Sequence, residues 1–271
     1  MPTLVAVHAH PDDETITTGG TLARYSAAGV RTVVVTCTRG DLGWLNGVEA
    51  DDVGELRTRE LEAALRTLGV SRLVHLDYLD SGMPGTPENQ RVGAFCAAPL
   101  DEAAGRLEQV LIQERPDVLI AYDETGGYGH PDHVRAHQVA VAAYRRTATA
   151  QPARLYFVRF PVTWSRRFVL ALRQAGIDAP WSAVSGADAG PDAELIGVPD
   201  ELVTTAVDVH GYVETKRAAL ACHRSQMPPW HFLMRMPDAL AHELWANEFF
   251  SLENGRVAAP RTDLFGDSSS R

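Results

Sequence analysis

Two short runs concentrate the groups able to do chemistry. The first, His8-Ala9-His10-Pro11-Asp12-Asp13-Glu14, packs two imidazoles and three carboxylates into one turn, and His130-Pro131-Asp132-His133 repeats the combination far along the chain. A catalytic zinc takes three protein ligands of N and O type and keeps a fourth position for water. His10, Asp13 and His133 supply such a set, which leaves Asp12 to take a proton from water whose pKa the metal lowers toward ~7. Spacing alone leaves open which of Asp12 and Asp13 binds. Nor does it name the metal, because two histidines and one carboxylate also describe the facial triad of non-haem Fe(II) oxygenases.

Each run by itself has a plainer explanation. Pro11 to Glu14 suits the first turn of a helix, where proline and acids are favoured, and a lone His130 or His133 would more often be structural. His8 is the weaker ligand of its pair, since alternation along a strand points it into the sheet packing. The joint occurrence of both runs at corresponding strand ends favours a site.

The elements that must carry these runs follow a repeating pattern. Residues 4–7 form an apolar strand, a helix is entered at residues 19–25 and stops at Gly29, and residues 32–38 form a second, β-branched strand. A helical apolar face at Leu56, Leu61, Ala64, Leu65 and Leu68 ends at Gly69. It leads to a strand at 72–76, a helix at 101–114 and a strand at 118–122. Both chemical runs then fall at the carboxyl ends of parallel strands, on one edge of a sheet. Beyond residue 150 the pattern weakens. Strands are expected at 155–160 and 203–207, helices at 166–175 and 214–223, a final strand within 245–252, and irregular chain at 176–200. The expectation is an α/β, Rossmann-like fold, a mostly parallel sheet with helices on both faces and a carboxyl-terminal capping portion. Residues 1–265 are expected to form one domain, with 1–150 the parallel core, 151–265 the substrate-side portion and 266–271 a disordered tail.

Composition narrows the partners. The chain has 271 residues, is 45% hydrophobic and carries a formal net charge of -10. With no excess of Lys and Arg to meet phosphate charge, nucleic acid and anionic membranes are poor partners and a small substrate is the better one. The amino end lacks the basic and apolar regions of a secretory signal, and no apolar run reaches membrane-spanning length. Cys37, Cys96 and Cys222 fit neither a disulfide framework nor a zinc ribbon and read as buried thiols, which points to the cytoplasm. A homo-oligomer is compatible with all of this.

The first run, and the second with Gly127-Tyr128-Gly129 leading into it, resemble the LmbE-like family of zinc-dependent de-N-acetylases. That family is related to the N-acetylglucosaminyl-phosphatidylinositol de-N-acetylase (PIG-L), and the likeness is greatest to its mycothiol-pathway branch. It covers about the first 145 residues and returns near residues 221–226. The resemblance implies that His10, Asp13 and His133 hold zinc, with iron a second candidate occupant in cells, and that Asp12 is the general base. It implies that His130 stabilises the tetrahedral intermediate or protonates the leaving amine, with Asp132 orienting it, and that Tyr128 polarises the carbonyl. Arg57 and Asp80 match positions that contact the substrate's polar groups and sugar hydroxyls. Taken as bland residues, Arg57 would pair with Glu60 on a solvated helix face and Asp80 would form a turn.

Two departures bear on specificity. Gly40-Asp41 stands where many members carry Gly-Glu, and Thr17 stands where conjugate amidases of this branch tend to carry lysine. The implied function is release of acetate from an N-acetylglucosamine-type glycoconjugate. The alternatives are a mycothiol-conjugate amidase or an antibiotic-sugar deacetylase and, more remotely, an Fe(II) oxygenase. A silent ligand-binding module is disfavoured, because the turns carry metal ligands and no Gly-x-Gly-x-x-Gly phosphate turn is present.

Overall fold

The computed structural model describes residues 1–148, 153–178, 197–253 and 261–266. Five strands, β1 (Thr3–His8), β2 (Arg31–Thr38), β3 (Arg72–Tyr78), β4 (Val118–Ala121) and β5 (Arg154–Arg159), run parallel. Between and after them lie α1 (Asp13–Ala27), α2 (Val53–Leu68), α3 (Leu100–Glu114), α4 (Pro131–Thr147) and α5 (Val162–Gln174). They are followed by β6 (Thr205–Asp208), α6 (Val213–Leu220), α7 (Asp238–Leu244) and β7 (Asn247–Leu252). The sheet order is β3-β2-β1-β4-β5-β7-β6, with β7 antiparallel to both β5 and β6.

The core follows from the alternation of β1, whose residues are buried on both faces, as parallel strands require. Val5 and Val7 pack with Ala103, Leu107, Ala136 and Val139 of α3 and α4, while Leu4 and Ala6 pack with Leu22, Leu61 and Leu65 of α1 and α2. The chain winds outward from β1 to β3 and then returns to β4 on the other side of β1. The loops after β1 and β4 therefore diverge at the point where the winding reverses, which in open α/β sheets is where ligands bind.

The mostly parallel α/β sheet with helices on both faces is as expected, and the differences are local. Helix α1 begins at Asp13, earlier than its apolar face suggests, because its first turn is polar yet buried: Asp13, Glu14 and Thr15 all lie inside. The carboxyl-terminal part adds β6 and β7 to the sheet as well as covering its edge, with α5, α6 and α7 sharing a separate apolar cluster that includes Phe168, Leu220 and Leu244. Of the three free cysteines only Cys37 is buried; Cys96 and Cys222 are partly exposed, a correction to the expectation of three buried thiols. Most of the irregular stretch foreseen at 176–200, and all but the first residue of the tail, lie outside the described residues. No described helix is long and apolar enough to cross a membrane.

Candidate active site

The turn after β1 and the turn before α4 meet at the sheet's carboxyl edge. His10 and Asp13 from the first turn and His130 and His133 from the second are all buried there, although the two pairs are more than a hundred residues apart in sequence. The Asp13 Oδ2 atom stands 3.4 Å from His10 Nδ1 and 3.3 Å from His133 Nε2. Two ligands of a tetrahedral ion with bonds of about 2.0–2.1 Å lie roughly 3.3–3.4 Å apart, so these spacings fit one zinc-sized cation.

The hydrogen bonds around each ring select the lone pair that faces that point. His133 Nδ1 donates to the Gly126 carbonyl at 3.1 Å, and its Nε2 is buried without a hydrogen-bond partner. His10 Nε2 donates to Asp132 at 3.2 Å, which leaves Nδ1 turned to Asp13. Such outer partners fix tautomer and ring orientation in metal sites. The buried His133 Nε2 has the Asp13 oxygen 3.3 Å away as its neighbour, and a metal ion shared between the two would satisfy both. His10, His130 and His133 also offer nitrogens within 4.8 Å of one another, as do donor atoms of His10, Asp80 and Asp132. The Asp13-centred set places one Asp13 oxygen within 3.4 Å of a nitrogen on each of two histidines, and the residues present fit a divalent cation.

Charge points the same way. His10 is surrounded by Asp13, Asp132 and Asp80, and although burial opposes its charge these carboxylates raise its pKa well above the usual value. Burial likewise works against ionised Asp13, yet His133 and His10 hold its carboxyl well below the usual range. A buried floor this rich in carboxylates is stable only with compensating positive charge.

Asp12 lines the cavity above this floor. Burial is the main reason its carboxyl is pushed up to about 6, with Arg57 acting against the shift and Asp13 adding to it. Its backbone has φ 100°, a left-handed value that costs a non-glycine residue about 1–3 kcal/mol. Two neighbours hold it there. Its N–H donates to Glu14 Oε2 at 2.9 Å, and Arg57 Nη2 donates to the Pro11 carbonyl at 2.6 Å and to Asp12 Oδ2 at 3.3 Å. Glu14 is in turn fixed by Thr15 Oγ and by His223 Nε2 at 2.9 Å, with both members of the Glu14–His223 pair fully buried.

The second run forms the start of α4, with Pro131 in its first turn. The Asp132 N–H donates to His130 Nδ1 at 3.2 Å, so a neutral His130 carries its proton on Nε2. Burial, then His10 and His133, depress the His130 pKa to about 4. The resemblance placed the Asp132 carboxylate behind His130; it lies instead on His10 and is fixed by Ser81, whose N–H donates to it at 2.9 Å and whose hydroxyl also donates. Only its backbone N–H meets His130. Tyr128 is half exposed, 53%, with its ring centroid 5.0 Å from that of His133. Gly126, at φ +66°, must be glycine: a Cβ there would sit 2.6 Å from His133 Cβ.

Arg57 and Asp80 are both buried and neither lines the cavity. Arg57 is no solvated helix residue and does not pair with Glu60, which accepts from Ser225 instead. Its Nη1 donates to the Gly40 carbonyl at 2.8 Å, and together with its bonds to Pro11 and Asp12 this makes it a brace for the turn after β1. Asp80 Oδ1 accepts from the Gly82 N–H at 2.8 Å and lies 3.7 Å from His10 Nε2. Asp41 braces the Asp80 loop by accepting from the Asp80 N–H and from Arg91, and it does not face the cavity. His8 is packed inside and hydrogen bonded to Thr18, as alternation required. Sequence reasoning missed Glu14 as an anchor, His223 as its partner and Tyr122, whose ring stacks on His133 at 4.3 Å and whose hydroxyl accepts from the Ala9 N–H. The only signal for His223 was its place in the weak likeness near residues 221–226.

Comparison with known proteins gives the family. The family model described as GlcNAc-PI de-N-acetylase (PIG-L) matches residues 5–144. The 1D-myo-inositol 2-acetamido-2-deoxy-alpha-D-glucopyranoside deacetylase of Acidothermus cellulolyticus is 40% identical over 96% of this chain and 91% of its own. Deacetylase 1 of the same name from Catenulispora acidiphila is 37% identical over 97% and 87%. The N,N'-diacetylchitobiose deacetylase of Pyrococcus horikoshii superposes with a TM-score of 0.55 over 92% of this chain and 83% of that one, and at 22% identity it speaks for the fold. The chain belongs to the PIG-L, LmbE-like family of de-N-acetylases.

Proposed function

We propose that this chain hydrolyses the N-acetyl amide of an N-acetylglucosamine-type conjugate, with zinc held by His10, Asp13 and His133. The names of its relatives make 1D-myo-inositol 2-acetamido-2-deoxy-alpha-D-glucopyranoside the first substrate to try. The observation that carries the proposal is His133 Nε2, buried without a hydrogen-bond partner and 3.3 Å from an Asp13 oxygen that also faces His10. Zinc there would lower the pKa of a water molecule and polarise the amide carbonyl.

The chain's own groups supply the remainder. Asp12, with a pKa near 6, is a carboxylate at neutral pH basic enough to accept the water's proton and acidic enough to return it to the departing amine. His130, neutral with its proton on Nε2, donates a hydrogen bond to the oxyanion, and the Tyr128 hydroxyl donates a second. Arg57 and Glu14 hold Asp12 in its strained backbone conformation. Three free thiols suit a reducing compartment such as the cytoplasm.

Two variants test the division of labour. Asp12→Ala is expected to retain zinc and lose nearly all turnover, whereas His133→Ala loses the metal. Elemental analysis alongside acetate release checks both. Wild-type protein with no transition metal near one per chain, and no activity restored by zinc, would sink the proposal. Oxygen-dependent turnover would favour the iron oxygenase instead.

A further inference from the structure

The carboxyl edge of the sheet opens on a cavity of about 400 Å³, whose floor includes Asp12, Asp13, Tyr128 and His133. The rest of its wall is mostly hydrocarbon, with Trp164 and Phe168 of α5, Leu220 of α6, and Phe232, Trp245 and Phe249 among the side chains that form it. Both cations on the wall are already neutralised. Arg159 donates to Asp123 at 2.8 Å, and Lys216 donates to Glu248 at 2.7 Å beneath the Trp245 ring. The wall thus has no unpaired cation for a phosphate or carboxylate, and its polar side chains, Thr17, Ser165 and Asn247 among them, are a minority of the lining. His10, His130, Arg57 and Asp80 are not among the residues that line it.

Resting on the hydrolase proposal above, we infer that this cavity is an acyl subsite, so that the chain removes N-acyl groups several methylenes longer than acetyl from amino sugars. An acetyl methyl fills about as much space as one water, roughly 30 Å³, and would leave the cavity almost empty. A volume of this size belongs with ligands larger than a methyl group. The mostly hydrocarbon wall matches an alkyl chain better than it matches sugar hydroxyls, so the acyl branch of the amide is the one assigned to the cavity. The bond changes are those of acetyl hydrolysis: the water's hydroxyl goes to the acyl carbon, the C–N bond breaks, and the proton passes to nitrogen. The products are a longer carboxylate and a free amine.

The test uses zinc-loaded full chain and two substrate series. One is N-acetyl, N-butanoyl, N-hexanoyl and N-octanoyl glucosamine; the other is N-acetylglucosamine carrying matching O-alkyl aglycones. Full burial is worth about fourfold in kcat/KM per methylene, so the hexanoyl compound is expected to exceed acetyl by more than about tenfold, with no such rise in the aglycone series. Acetyl release with longer acyl groups refused overturns the inference and leaves the hydrolase proposal intact. A gain confined to the aglycone series also overturns it, by placing the apolar group on the other side of the amide. No amine released from any compound removes the hydrolase proposal and this inference with it. A readout free of turnover comes from Trp164 and Trp245, which line the cavity. In metal-free protein the neutral octanamide is expected to perturb tryptophan fluorescence at concentrations at least about tenfold below acetamide, again from the burial of its methylenes. Equal responses to the two amides count against the subsite.

Discussion

Glu14→Ala removes a carboxylate on which three groups converge in the buried floor of the site. The Asp12 N–H and the Thr15 hydroxyl donate to it, and His223 Nε2 donates at 2.9 Å, with Glu14 and His223 both 0% exposed. Burial works against a charged His223, but the Glu14 carboxylate outweighs it and raises the His223 pKa. Deleting one side of such a pair leaves an uncompensated buried group and costs about 3–5 kcal/mol. With about 2.1 cal/mol/K of unfolding entropy per residue, the 271 residues give roughly 0.57 kcal/mol/K, so the melting temperature should fall by about 5–9 °C. Asp12 also loses the acceptor that holds its N–H at φ 100°, and relaxing about 1–3 kcal/mol of backbone strain swings its carboxylate away from the metal ligands. A displacement near 1 Å reduces turnover by on the order of 100-fold. Glu14→Gln keeps an acceptor of the same shape and should recover most of the turnover while remaining less stable. Calorimetry, zinc content and acetate release on the three proteins check these outcomes together. The Glu14 brace has no such role if Glu14→Ala melts within about 2 °C of wild type and turns over within about threefold, since those limits correspond to roughly 1 kcal/mol or less.

Two further perturbations probe the supports of the site and the fold. Gly126→Ala introduces a Cβ 2.6 Å from His133 Cβ and 2.8 Å from the Val134 nitrogen at a left-handed φ, so it should displace His133 and weaken zinc binding by at least about tenfold, the size of a lost outer-shell support; metal titration with unchanged affinity would contradict this. Glu114 accepts from Arg31 at 2.8 Å and from Arg72, and the Arg31 hydrogen bond, opposed by burial and joined by the Arg72 hydrogen bond, holds its carboxyl below the usual 4.5. Its contribution is therefore complete above about pH 4.5 and disappears as pH falls through the lower folded-state pKa. The melting-temperature gap between wild type and Glu114→Gln should accordingly narrow between pH 5 and pH 3; a gap independent of pH would show that the ion pair is not the source.

Much of the site was legible in the residues because its chemistry is local at each half. His10, Pro11, Asp12 and Asp13 fall within one turn after a run of buried β-branched and aliphatic residues, and His130 to His133 fall within another. Strand periodicity and a parallel sheet suffice to bring two such turns to one edge. The bland explanation of Pro11 to Glu14 as a helix start also holds, since α1 begins at Asp13, and both roles share the same backbone. Turn formers and apolar runs likewise announced the first four strands, because backbone preference and burial there act over a few residues.

Other features depend on contacts across the chain that no local pattern encodes. Asp132 sits beside His130 in sequence, but its carboxylate turns to His10, more than a hundred residues away, because the start of α4 directs the backbone N–H toward the His130 ring instead. Arg57 follows a helical pattern suited to a solvated face, yet the packing of α2 against the turn after β1 buries it against three oxygens. The cavity is built jointly by residues from the parallel core and by side chains after residue 158 whose spacing shows no shared period. By itself the sequence determined which residue types reach the edge of a parallel sheet, since strand direction and turn composition are short-range properties. Only the tertiary structure decided which lone pair of each histidine faces Asp13, what holds Asp12 in its strained turn and how large and how apolar the neighbouring space is, because each of these depends on distances between segments that the chain brings together only on folding.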